Sequence, residues 1–502
     1  MAERVGLGVG NDQAKLLKKT RLSRSGIIAS DAAGRWPREG CSTGGSRSVA
    51  GESEPMLSVE EAQERLLATV EDPLPAEDAA LEDALGRVLA ASIRSARDLP
   101  AWDNSAMDGF AVHTEDIQGA TLEAPVRLLV VGEVRAGGSP DVDLPPGCAA
   151  RIATGARVPA SADAVVPVEN TIATETDGGL ASPDAASPGV LNATGFRAGE
   201  PVQEACLVVT GVKPGAHIRR RGEDVRAGTE LLEPHRRVGP AQIAMGAAVG
   251  VARLRVHRRP VVGVLSTGDE LRAVGLELGE SGVTDANGPG LLAMCRDAGA
   301  LTIDLGIAAD SLESVLGALR SAIERVDVLI VSGGVSVGPY DIVRAAFEAL
   351  GRVELWRVAI QPGKPFAFGR SRPRQSDGRR VLLFGLPGNP VAALVTFYLF
   401  VRPALDRLSG MPSPIVDADR AITEDRMRKS VGRRGFLRVT VARDERGSLI
   451  RDGQGRLRVR LAGHQGSHVL SAMAAADALA IVPEAIDELE PGAEVEIRWL
   501  QR

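Results

Sequence analysis

The chain has 502 residues, of which 44% are hydrophobic and 25% are charged, and this length exceeds what one hydrophobic core can support. Several domains are therefore expected. The net charge of -6 and an aromatic content of 3% give no reason to expect nucleic-acid binding, and no apolar run approaches the roughly 20 residues that span a bilayer.

The first 55 residues differ from the rest of the chain. They are rich in Gly, Ser and Arg and lack the apolar segment of a secretory signal, while four acidic residues interrupt the basic ones and argue against a transit peptide. We predict that residues 1–55 form a disordered N-terminal extension, or an extension from a misassigned start codon, and that the folded protein begins near Met56. The four acidic residues are Glu3, Asp12, Asp31 and Glu39.

A predominantly helical segment follows. Ser58 and Glu61 have the spacing of a capping box, and the apolar period predicts helices over residues 58–70 and 79–91. A further helix is predicted at residues 240–249. We expect residues 56–98 and 231–259 to form one helical domain, because the region between them has a different character.

That intervening region, residues 99–230, reads as an inserted β domain. Short apolar runs are separated by Gly, Pro and Asp, with a polar loop at residues 175–195. Asp108 before Gly109 indicates an exposed turn, for which a plain Asp-Gly turn is the simpler interpretation. Thr154 adds a hydroxyl on another turn. Three arginines and two acids at residues 219–224 indicate either a solvated surface turn or an anion-facing arginine cluster.

Residues 260–414 alternate apolar strands with helices over short connections, as a parallel α/β domain does. From residue 415 to residue 502 the alternation is lost, and short strands predict a small C-terminal β-barrel. The fold class is therefore a multidomain α/β plus β protein with a central parallel α/β domain.

Polar, acidic or small residues follow four apolar strands of the α/β domain. These residues are expected to meet at one crevice, since ligands bind at the carboxyl ends of strands in doubly wound sheets. The strongest case is residues 326–341, where a buried strand ends in a turn with Ser332, two glycines and Ser336, followed by Asp341 at a helix start. Glycines and hydroxyls suit a phosphate, and a carboxylate beside a phosphate usually requires a divalent cation. A simple helix cap is the alternative for Asp341.

The cysteines and histidines do not indicate a metal site or a disulfide framework. The cysteines contain no CxxC pair, and the six histidines show no ligand-like spacing. We therefore expect a reducing, cytoplasmic location. The four cysteines are Cys41, Cys148, Cys206 and Cys295.

Seven motifs in one order resemble those of the molybdopterin molybdenumtransferases, the MoeA-like family that the C-terminal region of gephyrin also represents. The resemblance covers essentially the whole chain from Met56 onward, and the order makes it far more specific than any single motif. The motifs are residues 104–109 (NSAMDG), 151–155 (RIATG), 220–224 (RRGED), 266–270 (STGDE), 332–338 (SGGVSVG), 362–365 (PGKP) and 385–390 (GLPGNP).

The resemblance implies a reaction in which adenylylated molybdopterin and molybdate give molybdenum cofactor and AMP, with Mg²⁺ required and molybdate as a substrate. It assigns Asp341 and Glu270 to the Mg²⁺ and pyrophosphate region, with Asp310 nearby unless that residue caps a helix. Lys364 would contact molybdate or phosphate. The substrate-binding residues implied are Ser332, Gly333, Gly334, Ser336, Pro387, Asn389, Pro390 and Arg219.

Family members are typically homodimers in which the β domain of one subunit faces the α/β domain of the other. On that basis Asp108 and Thr154 would act across the interface. The implied partners are a molybdopterin adenylyltransferase and apo-molybdoenzymes, with neither nucleic acid nor membrane. The chain departs from many relatives at Gln361, where they place a lysine, so anion binding could depend instead on Arg357 or Arg219.

Two other functions stay open from the sequence. The α/β domain alone also resembles molybdopterin adenylyltransferases, although those proteins are usually single domains. A scaffold that has kept the fold and lost the chemistry is the second alternative. A generic metal-dependent phosphohydrolase is disfavoured, because no histidine or carboxylate cluster has two-metal spacing.

Overall fold

The computed structural model describes residues 56–70, 72–175, 204–334, 342–412 and 418–500. The prediction for the N-terminal extension, and almost all of that for the loop at residues 175–195, lie outside these residues. Within them, no helix has the length and apolar character needed to cross a bilayer.

The described chain begins with an amphipathic helix. Ser58 Oγ accepts a hydrogen bond from the Glu61 N–H at 3.1 Å, and Glu61 Oε2 accepts one from the Ser58 N–H at 2.8 Å, so the predicted capping box is confirmed. Four elements precede the β domain: helix α1 (Val59–Ala68), strand β1 (Ala76–Ala80), a 3₁₀ turn (Leu81–Asp83) and strand β2 (Ile93–Arg94).

The prediction of a second helix at residues 79–91 is wrong. Ala76–Ala80 instead pairs antiparallel with Arg253–His257, and the chain leaves the following 3₁₀ turn through Gly86 at φ 74°. The alanine-rich segment has the propensity for a helix, but pairing with a strand far along the chain overrides that weak local preference.

The inserted domain is built on one six-stranded sheet with the order β7-β4-β6-β5-β9-β8. All its pairings are antiparallel except that of β5 with β6. The strands of this region are β3 (Asn104–Ser105), β4 (Gly109–Val112), β5 (Val126–Val134), β6 (Cys148–Ile152), β7 (Ala164–Pro167), β8 (Thr171–Glu175), β9 (Glu204–Val208) and β10 (Ile218–Arg219).

The chain then returns to the unit it left. Strand β11 pairs with β2 and strand β12 pairs with β1, so segments on both sides of the β domain share a core that includes Leu89, Leu232 and Val256. This unit is more β-rich than predicted, because the predicted second helix is replaced by β1. The returning elements are β11 (Glu230–Leu232), α2 (Pro240–Ala248) and β12 (Arg253–His257).

A second six-stranded sheet, with the order β16-β13-β17-β21-β20-β18, forms the α/β domain. Its first four strands are parallel and the last two antiparallel to their neighbours. The elements are β13 (Val261–Thr267), β14 (Leu271–Arg272), β15 (Val283–Thr284), α3 (Asn287–Asp297), β16 (Leu301–Ala308), α4 (Leu312–Ala322), β17 (Val328–Ser332), α5 (Ile342–Leu350), β18 (Gly351–Arg357), β19 (Ile360–Gln361), β20 (Pro365–Ser371), β21 (Leu382–Leu386), α6 (Pro390–Thr396), a π-helical turn (Phe397–Val401) and α7 (Arg402–Leu408).

Helices cover both faces of this sheet, so its central strands are buried on both sides. All five residues of β17 are buried, which explains the continuous apolar run in the sequence. One face packs on α3, α6 and α7, and the other on α4 and α5. Helix α1 contributes Val59, Ala62 and Leu66 to the first of these cores.

The C-terminal region confirms the predicted small β-barrel. Strands β24, β25, β22, β28 and β26 pair in turn, and β26 pairs again with β24, which closes a five-stranded barrel. Strand β19 of the α/β domain pairs in parallel with β24. The elements are β22 (Ala418–Thr423), β23 (Met427–Arg428), β24 (Arg434–Val441), β25 (Leu457–Leu461), α8 (Leu470–Ala474), β26 (Ala478–Val482), β27 (Glu488–Leu489) and β28 (Glu494–Trp499).

Candidate functional site

The carboxyl ends of four parallel strands meet at one open pocket of about 470 Å³, as the sequence predicts. The walls come from the residues that end or follow β13, β16, β17 and β21, together with the start of α3. Seven of the predicted site residues line it: Glu270, Asp310, Ser332, Gly333, Gly334, Asn389 and Pro390.

The turn after β17 strongly favours glycines. Gly333 has φ 98°, and a Cβ there would lie 2.3 Å from the Thr267 carbonyl oxygen. Gly334 has φ 63°, and a Cβ would lie 3.0 Å from Val343 Cγ2. Both positions combine a left-handed backbone with close contacts, so a side chain would strain the turn and change the pocket wall.

Asn287, at the start of α3, joins two turns of the pocket. Its Nδ2 donates to Ser332 Oγ and to the Gly388 carbonyl, both at 2.8 Å, and the residue is 9% exposed. The Ser332 hydroxyl in turn donates to the Pro387 carbonyl at 3.5 Å. Pro387 therefore contacts the Ser332 hydroxyl through its carbonyl oxygen. It is not among the described residues that line the pocket.

The acidic wall of the pocket has its own support. Thr267 Oγ1 donates to Asp310 Oδ1 at 2.7 Å, and the Asp310 N–H donates to Asp269 Oδ1 at 3.0 Å. Asp310 is not the helix cap, because Ser311 caps α4 by accepting from the Ser314 N–H. The Asp310 carboxylate thus lines the pocket and does not cap helix α4.

The start of α3 is the part of the pocket that the sequence analysis missed. Asp285 is 7% exposed, and its Oδ1 accepts from the Gly288 N–H at 3.0 Å. An Asp three residues before Gly288, ahead of an apolar helical period, is the usual signal for a helix start and could have identified this segment. The other polar residue at this helix start, Asn287, could not be identified from neighbouring residues, because its hydrogen-bond partners are distant along the chain.

Two buried polar atoms at this pocket have no hydrogen-bond partner within the described part of the chain. They are Ser266 Oγ, on a residue that is 1% exposed, and Asn287 Oδ1. Both residues line the pocket. An unpaired buried polar atom costs free energy, so these two atoms are candidates for a hydrogen bond to a ligand or water bound in the pocket.

Asp108, Thr154 and Arg219 lie in the β domain and are not among the described residues that line the pocket. Asp108 and Thr154 are neighbours, since the Thr154 N–H donates to Asp108 Oδ1 at 2.7 Å. Gly109 is required beside them, because a Cβ would lie 2.0 Å from the Val166 carbonyl oxygen. Arg219 is exposed on β10, opposite Asn104.

The arginine cluster beside Arg219 is held by acids. Arg220 Nη1 lies 2.7 Å from Asp103 Oδ2, and Arg221 Nε lies 2.5 Å from Asp98 Oδ2. The Arg221 N–H and then the Arg220 side chain hold the pKa of the Asp103 carboxyl below its usual range. Asp103, Arg220 and Arg221 line an open pocket of about 950 Å³ in the β domain.

The remaining predicted residues are placed as follows. Lys364 is half-buried just before β20 and is not among the described residues that line the strand-end pocket. Gln361 Oε1 accepts from the Ser430 N–H at 2.9 Å, so this residue connects the α/β domain to the barrel. Asp341 and Ser336 lie outside the described residues.

Three cysteines within the described chain, Cys148, Cys206 and Cys295, are buried. Burial raises the pKa of the Cys295 thiol to about 12, so this thiol is protonated at neutral pH and unsuited to metal binding. Over the same described ranges, no group of three or more His, Cys, Asp or Glu side chains could hold a metal ion.

Three family models match consecutive parts of the chain. Residues 57–250 match the MoeA N-terminal region (domains I and II), residues 263–407 match a probable molybdopterin binding domain, and residues 420–500 match the MoeA C-terminal region (domain IV). All the described lining residues of the strand-end pocket lie in the second of these segments.

Similar proteins cover most of the chain. A molybdopterin molybdenumtransferase of Haemophilus influenzae is 33% identical over 443 residues, covering 88% of this chain and 98% of its own length. Molybdopterin molybdenumtransferase 2 of Mycobacterium tuberculosis is 35% identical over 423 residues, covering 83% and 93%. The structure of a molybdopterin biosynthesis MoeA protein from Pyrococcus horikosii has a TM-score of 0.66 at 30% identity, covering 89% of this chain and all of its own. The chain therefore belongs to the molybdopterin molybdenumtransferase (MoeA) family of transferases.

Proposed function

We propose that the protein inserts molybdenum from molybdate into adenylylated molybdopterin and releases AMP and molybdenum cofactor. The observation that carries this proposal is the strand-end pocket, where the carboxylates of Glu270 and Asp310 stand beside the glycine turn at Gly333 and Gly334. A substrate with a pyrophosphate linkage needs such a combination of close backbone approach, hydroxyls and acids.

Each wall of the pocket would act on a different part of that substrate. The glycine turn has no side chain to keep a phosphate oxygen from the backbone, and the Ser332 hydroxyl stands at its start. Asn287 holds this turn against the Gly388 carbonyl, so the two sides of the pocket keep a set separation. Lys364 is not among the described residues that line this pocket; on the basis of the family resemblance we assign it to molybdate, a tetrahedral dianion that a compact ammonium group can bind as a point charge.

The donor set of the pocket fits Mg²⁺, which prefers oxygen ligands and usually keeps several waters beside one or two carboxylates and substrate phosphates. Glu270 and Asp310 supply two carboxylates, and we assign Asp341 as a third on the basis of the family resemblance. A bound Mg²⁺ would neutralise charge on the pyrophosphate. The surrounding residues would orient these carboxylates for the ion, as the Thr267 hydroxyl orients Asp310 by a hydrogen bond.

We further infer a homodimer in which Asp108 and Thr154 of one subunit complete the pocket of the other. The strand-end pocket is open, and none of its described lining residues comes from the β domain. The hydrogen bond between Thr154 and Asp108 keeps this turn in a defined shape at an exposed position. A cytoplasmic location and handover to apo-molybdoenzymes remain expectations from the sequence.

The test is AMP release from adenylylated molybdopterin in the presence of Mg²⁺, with and without molybdate. We expect molybdate-dependent AMP release and a product that reactivates a cofactor-free molybdoenzyme. Glu270→Gln should lower the rate by at least about 100-fold, since it removes a charge facing the reacting phosphates. Glu277→Gln, an exposed acid outside the pocket, serves as the matched control and should keep the rate.

Other outcomes would replace the proposal. ATP-dependent adenylylation of molybdopterin without AMP release from the adenylylated substrate would move the function one step earlier, to an adenylyltransferase. If neither activity is observed, a non-catalytic scaffold of the same fold would be the remaining interpretation. Equal activity of Glu270→Gln and the control would refute the role assigned to the pocket.

A further inference from the structure

A second open pocket, of about 620 Å³, lies at the opposite end of the α/β sheet from the candidate site. Its walls include Arg258 and Arg259 before β13, the end of α3 and the start of β16. The candidate site lies at the other end of β13, which spans seven residues or about 20 Å. The two pockets share no described lining residue.

The walls of this pocket are strongly basic. Among the described lining residues the only carboxylate is Asp297, and it is paired with Arg402 at 3.2 Å. Five arginines from four separate parts of the chain also line the pocket. These are Arg87, Arg237, Arg258, Arg259 and Arg296.

Three of these arginines are held by acids that do not line the pocket. Arg87, which is 8% exposed, pairs with Glu77 at 2.5 Å, and Arg237 pairs with Asp406 at 3.1 Å. Both guanidinium Nη atoms of Arg258 donate to Asp327 at 2.7 Å. Ion pairs behind the wall fix the positions of these side chains, so their positive faces are pre-organised around the pocket.

The other two arginines, Arg259 and Arg296, form no ion pair with the described residues. The exposed Arg259 side chain makes no hydrogen bond or ion pair with the described residues. Arg296 Nε donates to Thr302 Oγ1 at 3.0 Å, but within the described chain no carboxylate lies within ion-pair distance of it. These two guanidinium groups therefore provide unneutralised positive charge at one site.

We propose that this pocket binds the phosphate group of a small organophosphate through Arg259 and Arg296. A guanidinium group matches a phosphate by parallel N–H donors, and two such groups suit a dianion. The pocket volume falls within the range of about 300–1,000 Å³ that is usual for small-molecule sites. Leu85 and Leu301, which are 53% and 52% exposed, supply apolar wall for the organic part. This site is separate from the proposed catalytic pocket and does not depend on its function.

The first experiment locates the ligand by arginine protection in the full chain. Phenylglyoxal modifies accessible guanidinium groups, and mass spectrometry after cleavage at glutamate reads each site. Inorganic phosphate and AMP are the probes, with adenosine as the control that lacks the phosphate. We expect phosphate and AMP to protect Arg259 and Arg296 saturably, with AMP effective at the lower concentration, and adenosine to protect neither. Molybdate as a third probe distinguishes a general tetrahedral-oxyanion site from one that selects phosphate.

Because AMP is also the product of the proposed reaction and can occupy the strand-end pocket, the second experiment resolves two AMP sites by calorimetry. It then compares both affinities in the double variant Arg259→Gln/Arg296→Gln, where only the site at the basic pocket should weaken. Each lost charge-assisted contact should weaken binding roughly tenfold. Arg320→Gln removes an exposed arginine of α4 outside the pocket and is the matched control. Because both replaced side chains are exposed, the double variant should fold and retain molybdate-dependent AMP release within about twofold.

Three results would overturn the proposal. They are the absence of protection at millimolar phosphate and AMP, equal protection of Arg320, and an unchanged affinity for AMP at this pocket when the two arginines are replaced. Loss of AMP release with intact protection of Arg259 and Arg296 would instead count against the proposed catalytic function alone, so the two failures are distinguishable.

Discussion

At the scale of single residues, the candidate site depends on a sterically restricted glycine turn and on one buried hydrogen bond. Gly333 combines a φ of 98° with a neighbouring carbonyl that a Cβ would approach to 2.3 Å. Ser332 and Asn287 share a buried hydrogen bond beside it. The glycines and Ser332 could be predicted from the sequence because turn chemistry is local. Asn287 could not, because it acts through residues 45 and 101 positions away.

Asn287→Ala tests this network. The substitution leaves the Gly388 carbonyl without its donor, so we expect a loss of about 1–3 kcal/mol in the free energy of unfolding. It should also raise the KM for adenylylated molybdopterin, because the two turns of the pocket lose their connection. Steady-state kinetics and denaturant unfolding measure the two effects.

The matched control for Asn287→Ala is Gln63→Ala. Gln63 Nε2 also donates to a carbonyl, that of Leu399 at 2.7 Å, but it lies on α1 away from the pocket. A similar loss of stability with an unchanged KM is expected there. Equal KM changes in both variants would show that the effect of Asn287 is general destabilisation rather than positioning of the pocket.

At the scale of elements, the secondary-structure predictions were reliable where all the determining residues lie within one segment of the chain. The capping box of α1 is such a case, because both its hydrogen bonds join Ser58 and Glu61. The strands of the α/β domain were equally clear, since burial on both faces makes continuous apolar runs. The helix expected at residues 79–91 failed, because β1 is defined by its partner β12 rather than by its own sequence.

Ser58→Ala should weaken the start of α1. Removal of the hydroxyl leaves the Glu61 N–H without its acceptor, and the expected cost is about 1 kcal/mol. Hydrogen exchange of the first-turn amides should quicken by roughly fivefold, which corresponds to that free energy. Ser430→Ala, at an exposed serine outside any helix, is the control and should leave exchange in α1 unchanged.

The Ser58→Ala prediction separates the cap from the packing of the helix. Val59, Ala62 and Leu66 bury the helix in the core of the α/β sheet. If the first-turn amides exchange at the same rate in Ser58→Ala as in the unmodified protein, packing alone would hold the start of the helix.

At the scale of the whole molecule, several of the family's motifs fall into two separate places. Glu270, Asp310 and the glycine turn line the strand-end pocket, whereas Asp108 and Thr154 share a turn in the β domain. One chain thus presents two polar sites, which the proposed dimer would combine. The sequence order of the motifs could not reveal this division, since it carries no information about distances between domains.

Mixed dimers test whether the two sites combine. Asp108→Ala and Glu270→Ala chains should each be inactive, while their co-expressed mixture should recover about a quarter of the normal activity, since half the dimers would be mixed and each would keep one intact site. Molybdate-dependent AMP release is the measurement, with light scattering to establish the oligomeric state.

The pair Glu270→Ala with Asp310→Ala is the control for this complementation. Both residues belong to the same pocket of one subunit, so no mixed dimer regains an intact site and the activity should stay absent. Recovery in both mixtures, or in neither, would contradict a site completed across two subunits.

The sequence by itself determined the strand ends, the glycine turn, the helix cap of α1 and the C-terminal barrel, because side-chain periodicity and turn chemistry are local. Tertiary structure alone decided which residues meet. Packing brings the start of α3 to the strand-end pocket and collects five arginines from residues 87 to 296 at the opposite end of the sheet. Such contacts depend on how helices and strands pack across long separations, which no local pattern specifies.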